Sequence, residues 1–232
     1  MKILLVLTLF LPTFSAYAED IEALDEKCWN AHTNRSFFKV GMYCKKGARL
    51  GGMKSQHVWG QQMYGKKKYD EARSLFVLSA EQGMGKSYAA LGEMHEKGYG
   101  VIKDACKAKE YYLKGVELND ITSNRLLGNN LLFGSCSEPS PKQAIQYLEN
   151  AAMTDPEYQY LVGTAYSQLD DFVNGHAWMS VAKGNGFEDE KRIIDAINQL
   201  LSEEQKQESA KMQRVINRKL MEYNNTRNQS SR

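Results

Sequence analysis

The chain has 232 residues, of which 42% are hydrophobic and 25% are charged, and its 30 Lys and Arg residues nearly balance 28 Asp and Glu residues. A chain this close to neutral offers no electrostatic argument for nucleic acid as a partner. No stretch after residue 18 approaches the roughly 18 consecutive apolar residues of a membrane-spanning helix, so no integral membrane segment is expected there.

Residues 1–18 have the three parts of an export signal. Lys2 gives a positive start, residues 3–11 are apolar, and Ala16-Tyr17-Ala18 matches the small-x-small cleavage pattern. The alternative is an uncleaved membrane anchor, but the apolar run is short for a bilayer and the acidic Glu19 follows at once. We therefore predict a signal peptide over 1–18 and an exported mature chain that begins at Glu19.

A large apolar residue followed by glycine recurs along the chain with a nearly constant spacing. The glycines of these pairs are Gly60, Gly92, Gly128 and Gly163, which lie 32, 36 and 35 residues apart. A repeat of this length is typical of stacked two-helix units, because one hairpin cannot bury its apolar face without a neighbour. Each glycine is predicted to lie where the two helices of a hairpin cross, since a larger side chain would hold them apart.

Extending this period towards the N-terminus predicts a degenerate first repeat over 19–52. Its two helices are expected at 21–30 and 37–50. Cys28 then falls at the crossing point and Cys44 lies on the facing helix. A terminal repeat has a neighbour on one side only, so a disulfide staple would stabilise it.

The four cysteines, Cys28, Cys44, Cys106 and Cys136, are expected to form disulfides in an exported chain. Three pairings are possible. We predict Cys28–Cys44 from the helix positions above, which leaves Cys106 to pair with Cys136. No pair of cysteines or histidines has the spacing of a zinc site, so no metal is expected.

Residues 53–186 are predicted to form four helical hairpins, over 53–83, 84–119, 120–155 and 156–186. In the second hairpin Gly98 and Gly100 permit positive φ in the turn, and Asp104 can cap the helix that follows. The turns of the third and fourth hairpins lack this glycine pattern, so their geometry is less defined by the sequence.

Residues 187–223 are predicted to be C-terminal capping helices. The residues Ser202-Glu203-Glu204-Gln205 have the pattern of a capping box at the start of the last helix. The charged outer face of that helix favours a cap over the alternative, an amphipathic helix that binds a partner. The polar residues 224–232 are predicted to be a disordered tail.

The second hairpin resembles the Sel1-like repeat family, which is related to the tetratricopeptide repeats. The resemblance depends on Leu91-Gly92, followed by Gly98-Tyr99-Gly100-Val101 and then by Tyr111-Tyr112-Leu113-Lys114. The segment Ala177-Trp178-Met179-Ser180-Val181-Ala182 is similar to the closing part of many bacterial members. The resemblance covers about two thirds of the chain, from residue 53 to residue 210. It implies an all-α fold, a right-handed α-solenoid of helix-turn-helix repeats with a C-terminal capping helix.

The resemblance also implies that the first helix of each repeat lines a concave face. The residues three before, one after and four after each of the glycines Gly60, Gly92, Gly128 and Gly163 should point into this concave face. Ala89, Leu132 and Ser167 belong to this set. The candidate partner-binding residues are His57, Gln61, Tyr64, Glu93, Glu96, Arg125, Asn129, Tyr160 and Thr164. Their mixed polar and aromatic character suits an extended peptide or protein segment. The alternative is that these positions are merely solvated.

The sequence contains no convincing catalytic constellation. Ser36-Phe37-Phe38-Lys39 fits the Ser-x-x-Lys pattern of penicillin-interacting enzymes, but Ser180-Val181-Ala182-Lys183 fits it too, inside a repeat helix. The companion motifs of those enzymes are absent. The four histidines are scattered and no phosphate-binding glycine loop follows a strand. We expect no enzymatic activity and no cofactor.

These observations favour a non-enzymatic exported scaffold in the periplasm of a Gram-negative bacterium, or secreted from it. Its expected partner is a protein or peptide segment in the cell envelope. One alternative is a structural component of an envelope machine, such as a flagellar-motor-associated repeat protein. The other is a weak β-lactam-binding or β-lactam-hydrolysing enzyme.

Overall fold

The structure, a computed structural model, describes residues 7–187 and 191–230. This part of the chain forms twelve α-helices and contains no strand, which confirms the all-α prediction. The helices are α1 (Leu7–Thr33), α2 (Phe37–Arg49), α3 (Met53–Gly65), α4 (Tyr69–Glu81), α5 (Gly85–Lys97), α6 (Ala105–Glu117), α7 (Ile121–Phe133), α8 (Pro141–Ala152), α9 (Pro156–Ser167), α10 (Phe172–Gly184), α11 (Lys191–Leu200) and α12 (Glu203–Ser230). The first six residues of the predicted signal peptide lie outside the described ranges.

The helices are divided between two compact units, Met1–Asn119 and Asp120–Arg232. In the first unit, α1 packs against α2, α3 against α4 and α5 against α6, as three successive hairpins. In the second unit, α7 pairs with α8 and α9 with α10, and both α11 and α12 pack against α10. The sequential helix-turn-helix arrangement that the repeat period predicts is therefore present in both units.

Each marker glycine lies against a large side chain of the other helix in its hairpin. A Cβ atom added at any of the four would come within 3.0 Å of that side chain, so the helices approach too closely for alanine. The pairs are Gly60 with Phe76, Gly92 with Tyr112, Gly128 with Leu148, and Gly163 with Met179. This arrangement confirms that the glycines mark the helix crossings.

A disulfide occupies the corresponding crossing between α1 and α2. Cys28 and Cys44 are bonded, 16 residues apart in sequence, and both are fully buried. The predicted Cys28–Cys44 pairing is confirmed. Cys106 and Cys136 are disulfide-bonded as well, so none of the four cysteines is a free thiol.

The start of α3 is capped by a side chain from α1. The Asp25 carboxylate accepts hydrogen bonds from the backbone N–H groups of Lys54, at 3.0 Å, and Ser55, at 2.9 Å. The residue at the N-cap position is Gly52, which has no side chain to do this and whose Cβ position would overlap the Asp25 carboxylate. A buried carboxylate from the neighbouring hairpin therefore satisfies the helix end.

His57 is part of a buried hydrogen-bonded chain, and its predicted place among the partner-binding residues is wrong. Its ring is 2% exposed and its Nδ1 lies 2.9 Å from Ser87 Oγ. The Ser87 hydroxyl donates to Ser79 Oγ, and the Ser79 hydroxyl donates to the Met53 carbonyl oxygen. With the single proton of each serine used in this way, Nδ1–H of His57 donates to Ser87. Ser87 of the next hairpin therefore helps to bury His57, whereas Gln61, one turn later on the same side of α3, stays exposed.

The last helix begins as predicted and ends later than predicted. Ser202 Oγ accepts from the Gln205 backbone N–H at 3.2 Å, while the Ser202 backbone N–H donates to Gln205 Oε1 at 2.9 Å, which confirms the capping box. Helix α12 continues to Ser230, so residues 224–230 are helical and not the disordered tail that their polarity predicted. No glycine or proline follows residue 203 to stop the helix.

We predict that Gly92→Ala destabilises the protein by about 1–3 kcal/mol, because the added methyl group must displace Tyr112. This cost outweighs the roughly 1 kcal/mol that alanine gains over glycine inside a helix. The matched control is Gly41→Ala in α2, where the added Cβ has no neighbour within 4 Å apart from the adjacent residues and the helix's own backbone. Urea unfolding followed by circular dichroism measures both, and equal stability of the two variants would contradict the crossing argument.

We predict that stability falls between pH 6.5 and pH 4 through His57. Burial, and then the positive charges of Lys86 and His32, lower the His57 pKa to about 4. The unfolded chain takes up the proton near pH 6.5 whereas the folded ring remains neutral, so acid favours unfolding by up to about 3 kcal/mol. His57→Asn keeps a donor near the Nδ1 position without titrating. Unfolding free energies at several pH values should show a shallower loss for the variant, and parallel curves would disprove the assignment.

Candidate protein-interaction surfaces

Three tyrosines of the first unit form one cluster. Tyr69 stacks on Tyr99 with ring centroids 5.2 Å apart and an interplanar angle of 11°. The Tyr64 ring lies 5.6 Å from Tyr69 and 5.9 Å from Tyr99. The cluster joins the end of α3, the start of α4 and the turn after α5. Only Tyr64 of the three was predicted as a binding residue.

The glycine-rich turn after α5 explains why this cluster forms. Gly98 ends α5 in the left-handed conformation with φ 74°, and Gly100 has φ 69°. A Cβ atom at Gly100 would overlap Tyr69 Cβ, so the turn reaches α4 only because glycine is present. The sequence indicated a turn here, but the contact with a tyrosine some thirty residues earlier was not visible in it.

Charged residues of α5 lie beside the tyrosine cluster. The Glu93 carboxylate pairs with Lys97 Nζ at 3.0 Å, and this hydrogen bond raises the pKa of Lys97. Burial, and secondarily the Glu93 charge, raise the pKa of Tyr64. We define the tyrosine surface as Tyr64, Tyr69, Tyr99, Glu93 and Lys97.

Two further predicted residues of the first unit have different surroundings. Gln61 is exposed on α3. Glu96 is half-buried and accepts a hydrogen bond from the Tyr112 hydroxyl at 3.0 Å. Burial, followed by the Glu96 charge, raises the Tyr112 pKa, so the phenol remains a donor. Because that hydrogen bond lies within the α5–α6 hairpin, Glu96 contributes to the scaffold.

In the second unit, α7 presents two polar side chains with unused hydrogen-bonding atoms. The Arg125 guanidinium lies 4.6 Å from the centroid of the Tyr158 ring. Within the described part of the chain, Arg125 Nε and Asn129 Oδ1 are buried atoms without a hydrogen-bond partner. The two residues are one helical turn apart, so a donor and an acceptor lie side by side. Both were predicted as binding residues.

The other two predicted residues of the second unit are engaged inside it. Tyr160 stacks on Phe187 with ring centroids 4.9 Å apart and packs against the core formed by Met179, Ile194 and Ile197. The Thr164 hydroxyl donates to the Tyr160 carbonyl oxygen at 3.1 Å. These side chains stabilise the C-terminal packing and offer less to a partner than Arg125 and Asn129.

The structure also bears on metal binding and on the Ser36-x-x-Lys39 pattern. In the described ranges, no group of three His, Cys, Asp or Glu side chains is placed to hold a metal ion. Ser36 precedes α2 and Lys39 lies in its first turn; among the described residues no hydrogen bond joins their side chains. No helix of the described ranges has the length and apolarity needed to cross a membrane.

Comparison with known proteins places the repeats in a family. The Sel1 repeat family matches residues 54–84, 85–120 and 122–153. A Sel1 repeat protein from Oxalobacter formigenes has a similar crystal structure, with TM-score 0.54 and 24% identity over 62% of this chain and 63% of that one. The present chain thus spans less than two thirds of its length.

A second solved structure is c5321, described as a protective antigen present in uropathogenic Escherichia coli strains and displaying an SLR fold. Its TM-score is 0.44 and its identity 20%, over 84% of this chain and 51% of that one. No curated protein matches the chain. The three matched repeats coincide with the hairpins α3–α4, α5–α6 and α7–α8, so residues 54–153 of this chain contain three Sel1 repeats.

Proposed function

We propose that this protein is an exported, non-enzymatic scaffold that binds peptide or protein segments of the cell envelope through the first helices of its repeats, in each of the two units by itself. Sel1 repeats generally mediate protein–protein interactions, and the family is typically a non-catalytic scaffold. The proposed binding side chains are the tyrosine surface with Gln61 in the first unit, and Arg125 with Asn129 in the second.

The tyrosine surface is the observation that carries this proposal. Tyrosine supplies a large contact area with little loss of side-chain entropy, and aromatic residues are enriched at the centres of protein interfaces. The rings of Tyr64, Tyr69 and Tyr99 support one another, so their orientation is fixed before a partner arrives. The Glu93–Lys97 pair adds polar groups at the edge of this surface.

The polar side chains on α7 support an extended segment as the occupant. Arg125 and Asn129 are half-buried and lie one helical turn apart. Their guanidinium and amide N–H groups can donate to peptide carbonyl oxygens, which every extended backbone offers and a lipid acyl chain does not.

The proposed location is the periplasm of a Gram-negative bacterium, or the medium outside the cell. The signal-like residues 1–18 and the four disulfide-bonded cysteines support export, because such bonds persist in oxidising compartments. We further propose that 19–52 and 187–223 cap the two ends of the repeats over 53–186. The disulfide of the first segment and the packing of α12 on α10 support this division.

We predict that charge reversal on the first helices weakens partner capture. Glu93→Lys combined with Arg125→Glu leaves the net charge unchanged but inverts both polar patches, which should reduce capture about tenfold or more. Proximity cross-linking in the native cell measures the yield of envelope proteins. The control, Glu117→Lys with Lys142→Glu, makes the same two charge changes at exposed positions of α6 and α8. Equal yields from both variants and the wild type would reject the proposed surface.

We predict that the mature protein begins at Glu19 and is recovered in the periplasmic or secreted fraction. Cleavage after Ala18 follows from the small residues at positions 16 and 18. Mass spectrometry of the intact purified chain gives the N-terminus, and fractionation gives the location. A chain that retains Met1 in the cytosolic fraction would contradict export.

A further inference from the structure

Charge is distributed unevenly along this nearly neutral chain. Between Glu26 and Asp70 there is no acidic residue, whereas this stretch contains ten Lys and Arg residues. The stretch includes all of α2 and α3 and the turn before α4. A partner within about 10 Å responds to this local charge and not to the net charge of the chain, because salt screens more distant groups.

The basic stretch lines an open pocket between α2, α3 and α4. The pocket has a volume of about 690 Å³, which lies within the range of ligand-binding clefts. Trp59, Met63 and Leu75 form its apolar part. We define the basic pocket as these three residues together with Lys45, Arg49 and Lys66.

Two ammonium groups converge on the indole ring of the pocket. Lys45 Nζ of α2 lies 6.0 Å from the Trp59 ring centroid, and Lys66 Nζ, at the end of α3, lies 5.7 Å from it. Cation–π attraction holds lysines in such positions. The pocket therefore presents positive charge above its apolar surface, and the two cations come from α2 and from the turn after α3.

The positive charge of the pocket is largely uncompensated. Lys68 at its edge pairs with Glu71 at 2.8 Å. Among the residues that the structure describes, no carboxylate lies within ion-pair distance of Lys45, Arg49 or Lys66. Glu71 is the one carboxylate among the described residues that line the pocket, and it is paired with Lys68. An incoming anion would therefore meet Lys45, Arg49 and Lys66 without an ion pair to break.

We infer that the basic pocket binds an acidic segment of a partner protein, in which carboxylates alternate with apolar side chains. The carboxylates would contact Lys45, Arg49 and Lys66, with a bidentate geometry available at Arg49. An apolar side chain between them would contact Met63 and Leu75. Affinity then has both an electrostatic and a hydrophobic part.

Two other anionic partners fit this geometry less well. A bilayer presents a flat surface and cannot enter a concave pocket walled by α2 and α4. A nucleic acid base would stack on Trp59, but the ammonium groups of Lys45 and Lys66 already lie over that ring. A flexible peptide can enter the pocket and place its side chains individually.

This pocket is separate from the tyrosine surface. Trp59 and Tyr64 are five residues apart on α3, which places them about 140° apart around the helix. The inference therefore goes beyond the proposed function and does not depend on it. One helix would serve two partner segments on two of its sides.

The test measures binding of a fluorescein-labelled peptide in which Glu alternates with Leu, by fluorescence anisotropy with the purified protein. Lys45→Glu combined with Lys66→Glu should weaken binding about tenfold or more, because two charge-assisted contacts become repulsive. The control, Lys103→Glu with Lys109→Glu, makes the same charge change on the α5–α6 turn and on α6, and should stay within about twofold of wild type. Circular dichroism verifies that all variants are folded.

Three companion measurements identify the class of partner. A peptide with Gln in place of Glu should not bind, and the Glu93→Lys, Arg125→Glu variant should bind the acidic peptide as the wild type does. Vesicles of phosphatidylglycerol and phosphatidylcholine, and single-stranded oligothymidylate, should compete weakly. The inference is overturned if wild type does not bind the acidic peptide, if Lys45→Glu with Lys66→Glu has no effect, or if vesicles or oligonucleotide compete more strongly than the unlabelled peptide.

Discussion

The close crossing of the two helices in each hairpin is the constraint on which the rest of this structure depends. In the four repeats, a glycine on the first helix lies against a large side chain on the second, so the helices come nearer than any other residue would permit. In the first hairpin the same contact is a covalent bond between Cys28 and Cys44, again 16 residues apart as Gly60 and Phe76 are. A crossing fixed at its centre still allows rotation about it, so further contacts are needed at the open ends.

Polar side chains make those further contacts. Gln82, just after α4, donates to Gln56 near the start of α3 at 2.7 Å. Asn185, just after α10, donates to Gln159 near the start of α9 at 2.9 Å. Both pairs are 26 residues apart, one in each unit, and each joins the open end of a hairpin. Because a buried amide without a partner is costly, these pairs specify one rotation of the first helix and hence the direction of its outward side chains.

The sequence predicted those parts of the structure that depend on contacts within one hairpin. The glycine period, the Cys28–Cys44 bond and the capping box at Ser202 all involve residues close in sequence. The prediction for His57 was wrong because its environment comes from Ser87, 30 residues later in the chain. A helical position can be assigned to a face from spacing alone, but whether the next hairpin covers that face cannot.

The tyrosine cluster also depends on contacts between hairpins, which the spacing of residues in the sequence does not predict. Tyr69 and Tyr99 looked like ordinary repeat residues, and their meeting depends on the backbone of Gly100 reaching α4. The sequence showed the glycine pair at positions 98 and 100, but the spacing of these glycines predicted only a turn and not its contact with α4.

The tail after residue 223 was predicted to be disordered from its polarity, yet a helix that meets no glycine or proline continues through polar residues.

The distribution of charge alters what can be concluded from composition. A net charge near zero argues against a polyanion only if positive and negative residues are mixed in space, and here a stretch without any carboxylate includes both α2 and α3. Charge segregation of this kind costs little in the folded state when the like charges are exposed lysines, because solvent screens their repulsion. Lys45 and Lys66 both lie over the Trp59 ring, and in the described part of the chain neither is paired with a carboxylate. The arrangement therefore offers positive charge to an anion without an ion pair that must first be broken.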